Sequence, residues 1–364
     1  MTGSGPFGTA PRPDPPDGFV PFDRFMEWAL YDPRDGFYQA ARPRLGPAGD
    51  FVTAVHATPL YGECLGRYVR RRLEAMADGA PLRLVEIGPG DGRLAAAILT
   101  ELGRRPLRAR LASYDLVERS DARARESYAT ARRAVGPPGT EIRRVAGPGT
   151  DGPLRGIVLA HEVLDAAPCR RFRRTETGWE ELGVRADGGR WREVARPIAA
   201  PPLPPGGEVA IEPGAIVERA PAAAGLVRAI ADRLQGGRAI VVDYGMDEME
   251  LLRGHPGGTL AAVGAHRDLP PEPSLGGSVD WSAFVNFDRV RRAIRDSGLT
   301  VWSDRPLRDA LESWGLPELL AEEERNGQGG SEERVRRRLA VKRLLFGFER
   351  FRALEFGPGP AALM

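Results

Sequence analysis

Three glycines spaced two residues apart follow an apolar stretch in LVEIGPGDG (84–92), and the helix-forming run RLAAAIL comes directly after them. Glycines at such a turn let the backbone bend sharply and approach a ligand without a Cβ in the way. The unpaired N–H groups at the start of the next helix favour an anion. We therefore expect Gly88, Gly90 and Gly92 to bind a nucleotide-like cofactor beside Glu86, the last polar side chain of the preceding strand.

The residues around this turn indicate which cofactor it holds. The dinucleotide fingerprint Gly-x-Gly-x-x-Gly needs a glycine where this chain has Arg93, which disfavours an NAD-dependent dehydrogenase. Glu86 would repel a pyrophosphate and attract an ammonium or sulfonium group, while the turn suits a carboxylate. Glu118 follows the next predicted strand, where an acid can accept hydrogen bonds from ribose hydroxyls. S-adenosylmethionine has all of these groups and is the predicted cofactor; the alternative is a plain turn with two ordinary exposed acids.

A second pair of acids follows another predicted strand, because Glu162 and Asp165 lie three residues apart in HEVLDAAP. Carboxylates that accept N–H groups of a bound acceptor can orient it for reaction. One of them can also accept the proton that leaves. We expect these acids to hold the acceptor of a methyl group, with His161 and Asp50 nearby. The alternative is that Asp165 caps the next turn and Glu162 pairs with an arginine.

Two more polar residues end a further predicted strand. Asp243 and Tyr244 could line the same site, although Tyr244 could equally be a packing residue with a hydrated hydroxyl. His56, His255 and His266 have no partner at the spacing of a metal site, so the sequence predicts no metal. The candidate site is therefore built from acids and backbone groups.

The elements that must position these residues alternate between buried apolar runs and helical stretches. This alternation predicts a doubly wound α/β fold, in which a mostly parallel sheet is covered on both faces. GTLAAV is expected to form a further short strand and FERFRALEF a closing edge strand. The main predicted strands are LRLVEI, LASYDLVERS, GIVLAHEVLDA and RAIVVDYG, and the helices between them are RLAAAILTELGRR, DARARESYATARRAV and AGLVRAIADRL.

Composition shifts divide the chain into five predicted segments. The hairpin segment and the N-terminal helices are expected to form a lid above the sheet. The segments are a disordered lead rich in glycine and proline (1–20), an N-terminal helical and loop segment with a helix at 22–30 (21–80), the cofactor-binding α/β core (81–168), an inserted antiparallel β-hairpin (169–212), and the remainder of the core with helical additions (213–356).

Composition and charge exclude several classes of protein. The net charge is +2, which gives no general field for nucleic acid or an anionic membrane. No apolar run approaches the roughly eighteen residues of a membrane helix, and no signal sequence is recognisable, so we expect no membrane insertion. Cys64 and Cys169 match no metal or redox spacing and fit ordinary buried thiols in a reducing cytoplasm. The sequence predicts a cytoplasmic protein and leaves its oligomeric state open.

Several segments, in order, resemble the MidA family of S-adenosylmethionine-dependent methyltransferases. The resemblance runs from about Phe22 to Phe356 and is carried by FMEWALYDPRDGFY, GDFVTAVHATPLYGE, HEVLDAAPCRRF, VVDYG and GTLAAVGAHR. It implies a seven-stranded class I methyltransferase sheet with N-terminal helical and inserted elements, and S-adenosylmethionine as methyl donor. Because the family is related to the mitochondrial complex I assembly factor, it also implies dimethylation of a protein arginine on a respiratory-complex subunit.

The chain departs from the family pattern at two places. The family often has a His-Val-Asp-Phe run after its sixth strand, where this chain has Phe284 and Asn286, and its arginine-rich run after Gly-Thr-Leu is reduced to AAVGAHR. The sequence therefore leaves two alternatives to protein arginine methylation open. One is methylation of a small molecule, and the other is an assembly factor that binds the cofactor without turnover.

Overall fold

A computed structural model of the chain describes residues 13, 15, 17–39, 54–145, 147, 152–201, 203, 211–265, 267–325 and 331–359. Asp50, His266 and most of the expected disordered lead (1–20) lie outside these ranges. The helices are α1 (Phe22–Tyr31), α2 (Ala54–Ala57), α3 (Pro59–Ala75), α4 (Arg93–Gly103), α5 (Asp121–Arg132), α6 (Pro221–Ala231), α7 (Glu248–Gly254), α8 (Phe287–Asp296), α9 (Leu307–Trp314), α10 (Leu316–Arg325) and α11 (Ser331–Phe346). The strands are β1 (Val20–Pro21), β2 (Leu82–Ile87), β3 (Leu111–Val117), β4 (Glu141–Val145), β5 (Leu154–His161), β6 (Arg170–Arg174), β7 (Trp179–Asp187), β8 (Arg190–Ile198), β9 (Ile216–Arg219), β10 (Leu234–Met246), β11 (Ala261–Gly264), β12 (Arg267–Leu269), β13 (Asp280–Ser282), β14 (Val285–Asn286), β15 (Thr300–Pro306) and β16 (Phe351–Gly357).

The main sheet has the strand order β15-β16-β10-β5-β2-β3-β4, and the two-residue β14 pairs with the end of β10. Strands β4, β3, β2, β5 and β10 are parallel, whereas β16 and β15 are antiparallel to their neighbours. This confirms the predicted doubly wound, mostly parallel seven-stranded sheet. The chain passes outward from β2 in one direction and from β5 in the other, so the ligand crevice is expected at the carboxyl ends of these two strands.

Both faces of the main sheet are buried, which explains the near-continuous apolar runs of its strands. Leu84 belongs to an apolar cluster with side chains of α3, α4 and α9. Its neighbour Val85 points to the opposite face and belongs to a cluster with side chains of α6 and α8. The alternation repeats in β5, where Leu159 and Val158 lie in the same two clusters. Helices on both faces therefore hold the carboxyl ends of the strands in a fixed arrangement.

Two strands at the margins of the sheet were not expected from the sequence. Residues 300–306, for which no strand was predicted, form β15 and pair with β16. The segment FERFRALEF therefore lies one strand in from the edge, and its prediction as the edge strand is wrong. At the other margin, β4 is a short polar strand whose side chains are all exposed or half-buried, so it lacks the apolar pattern of the central strands.

The inserted segment is larger than the predicted hairpin. Strands β6, β7 and β8 are successive antiparallel neighbours, and β9 and β1 extend them to a five-stranded sheet. Strand β9 lies beyond residue 212, and β1 falls at the end of the expected lead. GTLAAV does contain a strand, β11, but this strand joins β12 and β13 in a separate three-stranded sheet. Helix α1 packs between these two smaller sheets through Phe22 and Phe25.

Within the described ranges, no helix combines the length and the apolar composition that a bilayer span requires. The longest described helix, α3, has seventeen residues and includes three consecutive arginines, 70–72.

Candidate active site

A cavity of about 260 Å³ opens at the carboxyl ends of β2 and β5. Its wall includes the glycine turn after β2, Glu118 after β3 and the loop 161–168 after β5. Helix α1 contributes Glu27 and Tyr31 to this wall. The cavity lies at the carboxyl ends of β2 and β5, between which the strand order reverses, as expected for a ligand site in such a sheet.

The glycine turn brings the backbone close to this cavity. Gly88, Gly90 and Gly92 all have positive φ, which a residue with a Cβ adopts only at a cost. A Cβ on Gly88 would lie 2.8 Å from Val163 Cγ2, so glycine is needed for the approach of β2 to the neighbouring loop. Gly88 and Gly90 line the cavity, but Gly92 does not. Gly92 begins α4, and its missing side chain instead lets α4 approach the backbone of Ser127 in α5.

Glu86 is a buried acid at the base of the cavity, with 2% of its surface exposed. It accepts a hydrogen bond of 2.5 Å from the Tyr114 hydroxyl on the neighbouring strand β3. Burial raises the pKa of Glu86 to about 7, and the Tyr114 hydrogen bond opposes this rise. The acid is therefore near its titration point at neutral pH, and a cation placed beside it would stabilise its charged form.

Glu118 lies on the other side of the glycine turn. Its Oε1 accepts the backbone N–H of Ser120 at 2.9 Å, and burial raises its pKa. The Ser120 side chain in turn caps the start of α5 by accepting the N–H of Arg123. The local turn that begins α5 therefore also fixes the orientation of the Glu118 carboxylate toward the cavity wall.

The loop after β5 is held by a buried acid from β10. Asp243 Oδ2 accepts the backbone N–H groups of Val163 at 3.0 Å and of Leu164 at 2.8 Å. Burial and the neighbouring Asp165 raise the pKa of Asp243, and the backbone donors oppose this effect. Glu162, at the start of the loop, has a φ of 52°, a strained value for a residue with a side chain. The loop therefore leaves β5 along one fixed path.

The predicted residues Glu162, Asp165 and His161 all line the cavity. Glu162 Oε1 accepts the N–H of Ala54 at 3.1 Å and lies 3.6 Å from His161 Nδ1. Burial, with the nearby Asp165, raises the pKa of Glu162 to about 8. Burial, with the nearby His56, lowers the pKa of His161 to about 3, so its ring is neutral at physiological pH. In the described part of the chain, His161 Nε2 and Asp165 Oδ1 have no hydrogen-bond partner.

Asp165 connects the loop to Tyr244. Burial raises the pKa of Asp165, and the nearby Tyr244 hydroxyl opposes this rise. Among the described residues, the ion-pair contact of Glu162 is with His161. Asp243 and Tyr244 thus support the site from behind its wall.

A third acid of the wall, Asp280 in β13, was missed by sequence reasoning. The Tyr38 hydroxyl donates to Asp280 Oδ1 at 2.7 Å, and the Tyr31 hydroxyl donates to the carbonyl of Ala166 at 3.1 Å. All these residues except Ala166 lie on segments far from the motifs in the sequence, so no local pattern indicates them. They add one carboxylate and two aromatic rings to the side of the cavity that holds Asp165.

Two contacts between polar side chains of the cavity wall were also missed. His56 Nε2 lies 3.0 Å from Oδ2 of Asp91, a residue of the glycine motif. Sequence reasoning had considered His56 only as a metal ligand. The Arg119 guanidinium lies 3.8 Å over the Tyr31 ring and pairs with Glu27, which holds α1 against the end of β3. Within the described ranges, no group of three or more His, Cys, Asp or Glu side chains is placed to hold a metal ion.

Several known proteins are similar to this chain in sequence and in fold. The profile of a family described as S-adenosyl-L-methionine-dependent methyltransferase matches residues 64–303. Mitochondrial protein arginine methyltransferase NDUFAF7 of Bos taurus is 30% identical over 302 residues, which are 76% of this chain and 65% of that protein. The Danio rerio protein of the same name is 30% identical over 317 residues, which are 77% of this chain and 69% of that protein. This chain thus covers slightly less than two thirds of the bovine relative.

Two solved structures from Burkholderia thailandensis have the same overall fold. One, bound to S-adenosyl-homocysteine, superposes with a TM-score of 0.81 at 29% identity, covering 94% of this chain and 88% of that one. The other, a native structure, gives a TM-score of 0.75 at 28% identity, covering 96% and 90% of the two chains. The ligand of the first structure is the product that remains after S-adenosylmethionine gives up its methyl group.

Proposed function

Because this chain belongs to the MidA-like family of S-adenosyl-L-methionine-dependent methyltransferases, we propose that it methylates an arginine side chain of a protein. The observation that carries this proposal is the acidic wall of the cavity. Glu162, Asp165 and Asp280 line the same cavity as Gly88 and Gly90. A guanidinium is the side-chain group that can satisfy several carboxylates at once, because it has five N–H donors around one positive charge.

We propose that the glycine turn and its two flanking acids hold the cofactor. Gly88 and Gly90 leave space for a carboxylate close to the backbone, and α4 begins immediately beyond them. The buried Glu86 suits the amino group of the methionine part, and Glu118 suits the ribose hydroxyls. Gly92 supports this cradle indirectly by fixing the start of α4. The residues present therefore fit S-adenosylmethionine, the cofactor of the family.

The acids of the wall would prepare the acceptor nitrogen. When bound, S-adenosylmethionine supplies a methyl group on a sulfonium; a nitrogen–carbon bond forms, the carbon–sulfur bond breaks, and the acceptor nitrogen loses one proton. Asp165 and Asp280 would hold two N–H groups of the guanidinium and localise its positive charge away from the reacting nitrogen. Burial raises the pKa of Glu162 to about 8, so Glu162 would lose its own proton when the guanidinium binds, and the resulting carboxylate would accept the proton of the acceptor nitrogen. His161, with a pKa lowered to about 3, is the weaker base and would accept a hydrogen bond.

The names of the relatives support the same acceptor. Those from Bos taurus and Danio rerio are called protein arginine methyltransferases, and each is 30% identical to this chain. At the first departure from the family pattern, Phe284 and Asn286 do not line the acidic cavity. Asn286 caps the start of α8 by accepting the N–H of Arg289, and Phe284 packs against Tyr244. Neither position argues against turnover at Glu162 and Asp165.

Transfer of a labelled methyl group into a cell lysate tests the proposal. The lysate comes from cells that lack this chain, and the products are separated into protein and small-molecule fractions before amino-acid analysis. We expect the label in methylated arginine of the protein fraction, and its loss with Glu162→Gln. Label only in small molecules would favour a small-molecule methyltransferase, and binding of S-adenosylhomocysteine without any transfer would favour an assembly factor. Either result would overturn arginine methylation.

We also propose that the protein works in the cytoplasm. Cys64 and Cys169 are both free and buried, and burial raises the pKa of Cys64 to about 12, as expected for unreactive thiols in a reducing compartment. Imaging of the full chain carrying a fluorescent tag tests the location, and enrichment in any membrane-bounded compartment would contradict it.

A further inference from the structure

A second cavity, of about 400 Å³, lies beside the acidic one. It is enclosed by β6 and β9 of the five-stranded sheet and by α6, α7 and α8 of the core. Leu164, Ala167 and Ala223 line both cavities, so the two share a wall. The two cavities are therefore close enough for one extended ligand to contact both.

The wall of the second cavity carries a net positive charge. At its centre one carboxylate faces two guanidiniums, because Glu248 Oε1 lies 2.8 Å from both Arg219 Nη2 and Arg289 Nη2. Burial and the nearby Arg289 lower the pKa of Arg219 to about 10, which still leaves it charged at neutral pH. The charged side chains of the wall are Arg170, Arg219, Arg228, Arg289, Arg292, Glu218, Glu248 and Asp296.

The carboxylates of this wall are largely committed to other partners. Glu218 accepts the backbone N–H groups of Thr259 and Leu260, at 2.8 and 3.0 Å. Glu248 is shared by two arginines, as described above. Two further arginines, Arg228 on α6 and Arg292 on α8, are exposed at the rim, and α6 and α8 pack against each other. Arg228 forms no ion pair in the described part of the chain. The rim therefore offers guanidinium groups to an anionic ligand.

We propose that the second cavity receives an acidic segment of the acceptor protein, adjacent in sequence to the target arginine. This inference rests on the proposed arginine methylation. The two neighbouring cavities have opposite charge, so an acceptor with a cationic side chain next to anionic ones is complementary to both. An extended chain advances about 3.3–3.6 Å per residue, so an acid within about three residues of the arginine reaches across the shared wall. The cavity volume exceeds that of one side chain and suits such a segment.

Peptide binding to the full chain, loaded with S-adenosylhomocysteine, tests this inference. Three fluorescent peptides carry one central arginine and differ only in two neighbouring positions, which are Glu, Gln or Lys. We expect the Glu peptide to bind about tenfold more tightly than the Gln peptide at low salt, with the difference decreasing as salt is added. The double variant Arg228→Glu/Arg292→Glu should remove this preference and favour the Lys peptide. Equal affinities for the three peptides would overturn the inference.

Two controls separate a local effect from a general one. Arg295→Glu changes an exposed arginine on the same helix that does not line the cavity, and it should leave the preference intact. If the double charge reversal prevents folding, Arg228→Ala/Arg292→Ala should still reduce the preference for the Glu peptide, and an unchanged preference would contradict the inference.

A last set of peptides has norleucine in place of arginine and distinguishes this inference from the proposed function. A preference for Glu that persists in these peptides, in a chain that transfers no methyl group to arginine, would support the second cavity and refute arginine methylation. Methylation of arginine with no preference for acidic neighbours would refute the second cavity alone.

Discussion

The Asp243 carboxylate accepts the backbone N–H of Leu164 at 2.8 Å and so joins the end of β10 to the loop that follows β5. The same oxygen accepts the N–H of Val163 at 3.0 Å. The loop carries Glu162 and Asp165, the acids proposed to bind the acceptor. Asp243 therefore positions the loop that carries Glu162 and Asp165, although Asp243 itself does not line the cavity.

Asp243→Ala should destabilise the protein and abolish methyl transfer together. The backbone donors of Val163 and Leu164 would be buried without a partner, at a cost of roughly 1–3 kcal/mol each in the free energy of unfolding. Denaturant unfolding and methyl-transfer rates of the variant check this. Asp268→Ala, which removes an exposed carboxylate, should change neither quantity. An Asp243→Ala protein with unchanged stability would show that the loop is held by other contacts.

Tyr114→Phe should weaken cofactor binding by way of Glu86. The Tyr114 hydroxyl stabilises the charged form of this acid, so its loss raises the pKa of Glu86 above its present value of about 7. At pH 7 a larger fraction of Glu86 would then be protonated and unable to pair with an ammonium group. Calorimetry with S-adenosylhomocysteine should show an affinity about tenfold lower at pH 7, with partial recovery at pH 8.5. A loss that is the same at both pH values would indicate a purely structural role for Tyr114.

Gly92→Ala should destabilise the fold although Gly92 does not line the cavity. Its φ is 81°, and an added Cβ would lie 2.5 Å from the backbone oxygen of Ser127. The backbone strain alone costs about 1–3 kcal/mol, and the contact would push α4 away from α5. Thermal unfolding measures the effect, with Gly254→Ala as the control because a Cβ there meets open space. Equal unfolding temperatures for the two variants would contradict this account.

Glu162→Gln should become increasingly stabilising, relative to the unmodified chain, as pH rises from about 4.5 to about 8. Burial raises the pKa of Glu162 from 4.5 to about 8, so the folded chain retains a proton that the unfolded chain loses in this range. The folded state of the unmodified chain therefore loses stability as pH rises, at about 1.4 kcal/mol per pKa unit, and Gln removes that dependence. Unfolding free energies at pH 5 and pH 8.5 check this. A constant difference between the two proteins would refute a raised pKa.

The sequence predicted those parts of the fold whose signal is local. LRLVEI coincides with β2, and the glycines after it have the positive φ values that the turn requires. Strands β4 and β15 were missed because they lie at the margins of the sheet and carry mixed polar side chains. The helix predicted for AGLVRAIADRL (224–234) is α6, and it ends at Ala231. Strand β10 begins at Leu234, so the last predicted helical residue belongs to the strand.

Sequence reasoning predicted those acids of the candidate site that come shortly before or after the end of a predicted strand. Glu86, Glu118, Glu162 and Asp165 each come within a few residues of a strand end, and the structure brings all four to one cavity. Asp280 pairs with Tyr38 across 242 residues of sequence, so its place in the wall depends on tertiary packing alone. Asp50 lies outside the described residues, and its role stays a prediction.

The most direct measurement of the central claim is the number of protons released when ethylguanidinium binds to the chain loaded with S-adenosylhomocysteine at pH 7. With a pKa of about 8, Glu162 is mostly protonated in the absence of a cation and must lose its proton to face a guanidinium. Calorimetry in buffers of different ionisation enthalpy should show release of up to about one proton per guanidinium bound, no release with Glu162→Gln, and unchanged release with the exposed control Glu176→Gln. Binding without proton release, or the same release in Glu162→Gln, would contradict the assignment of this cavity to an arginine acceptor.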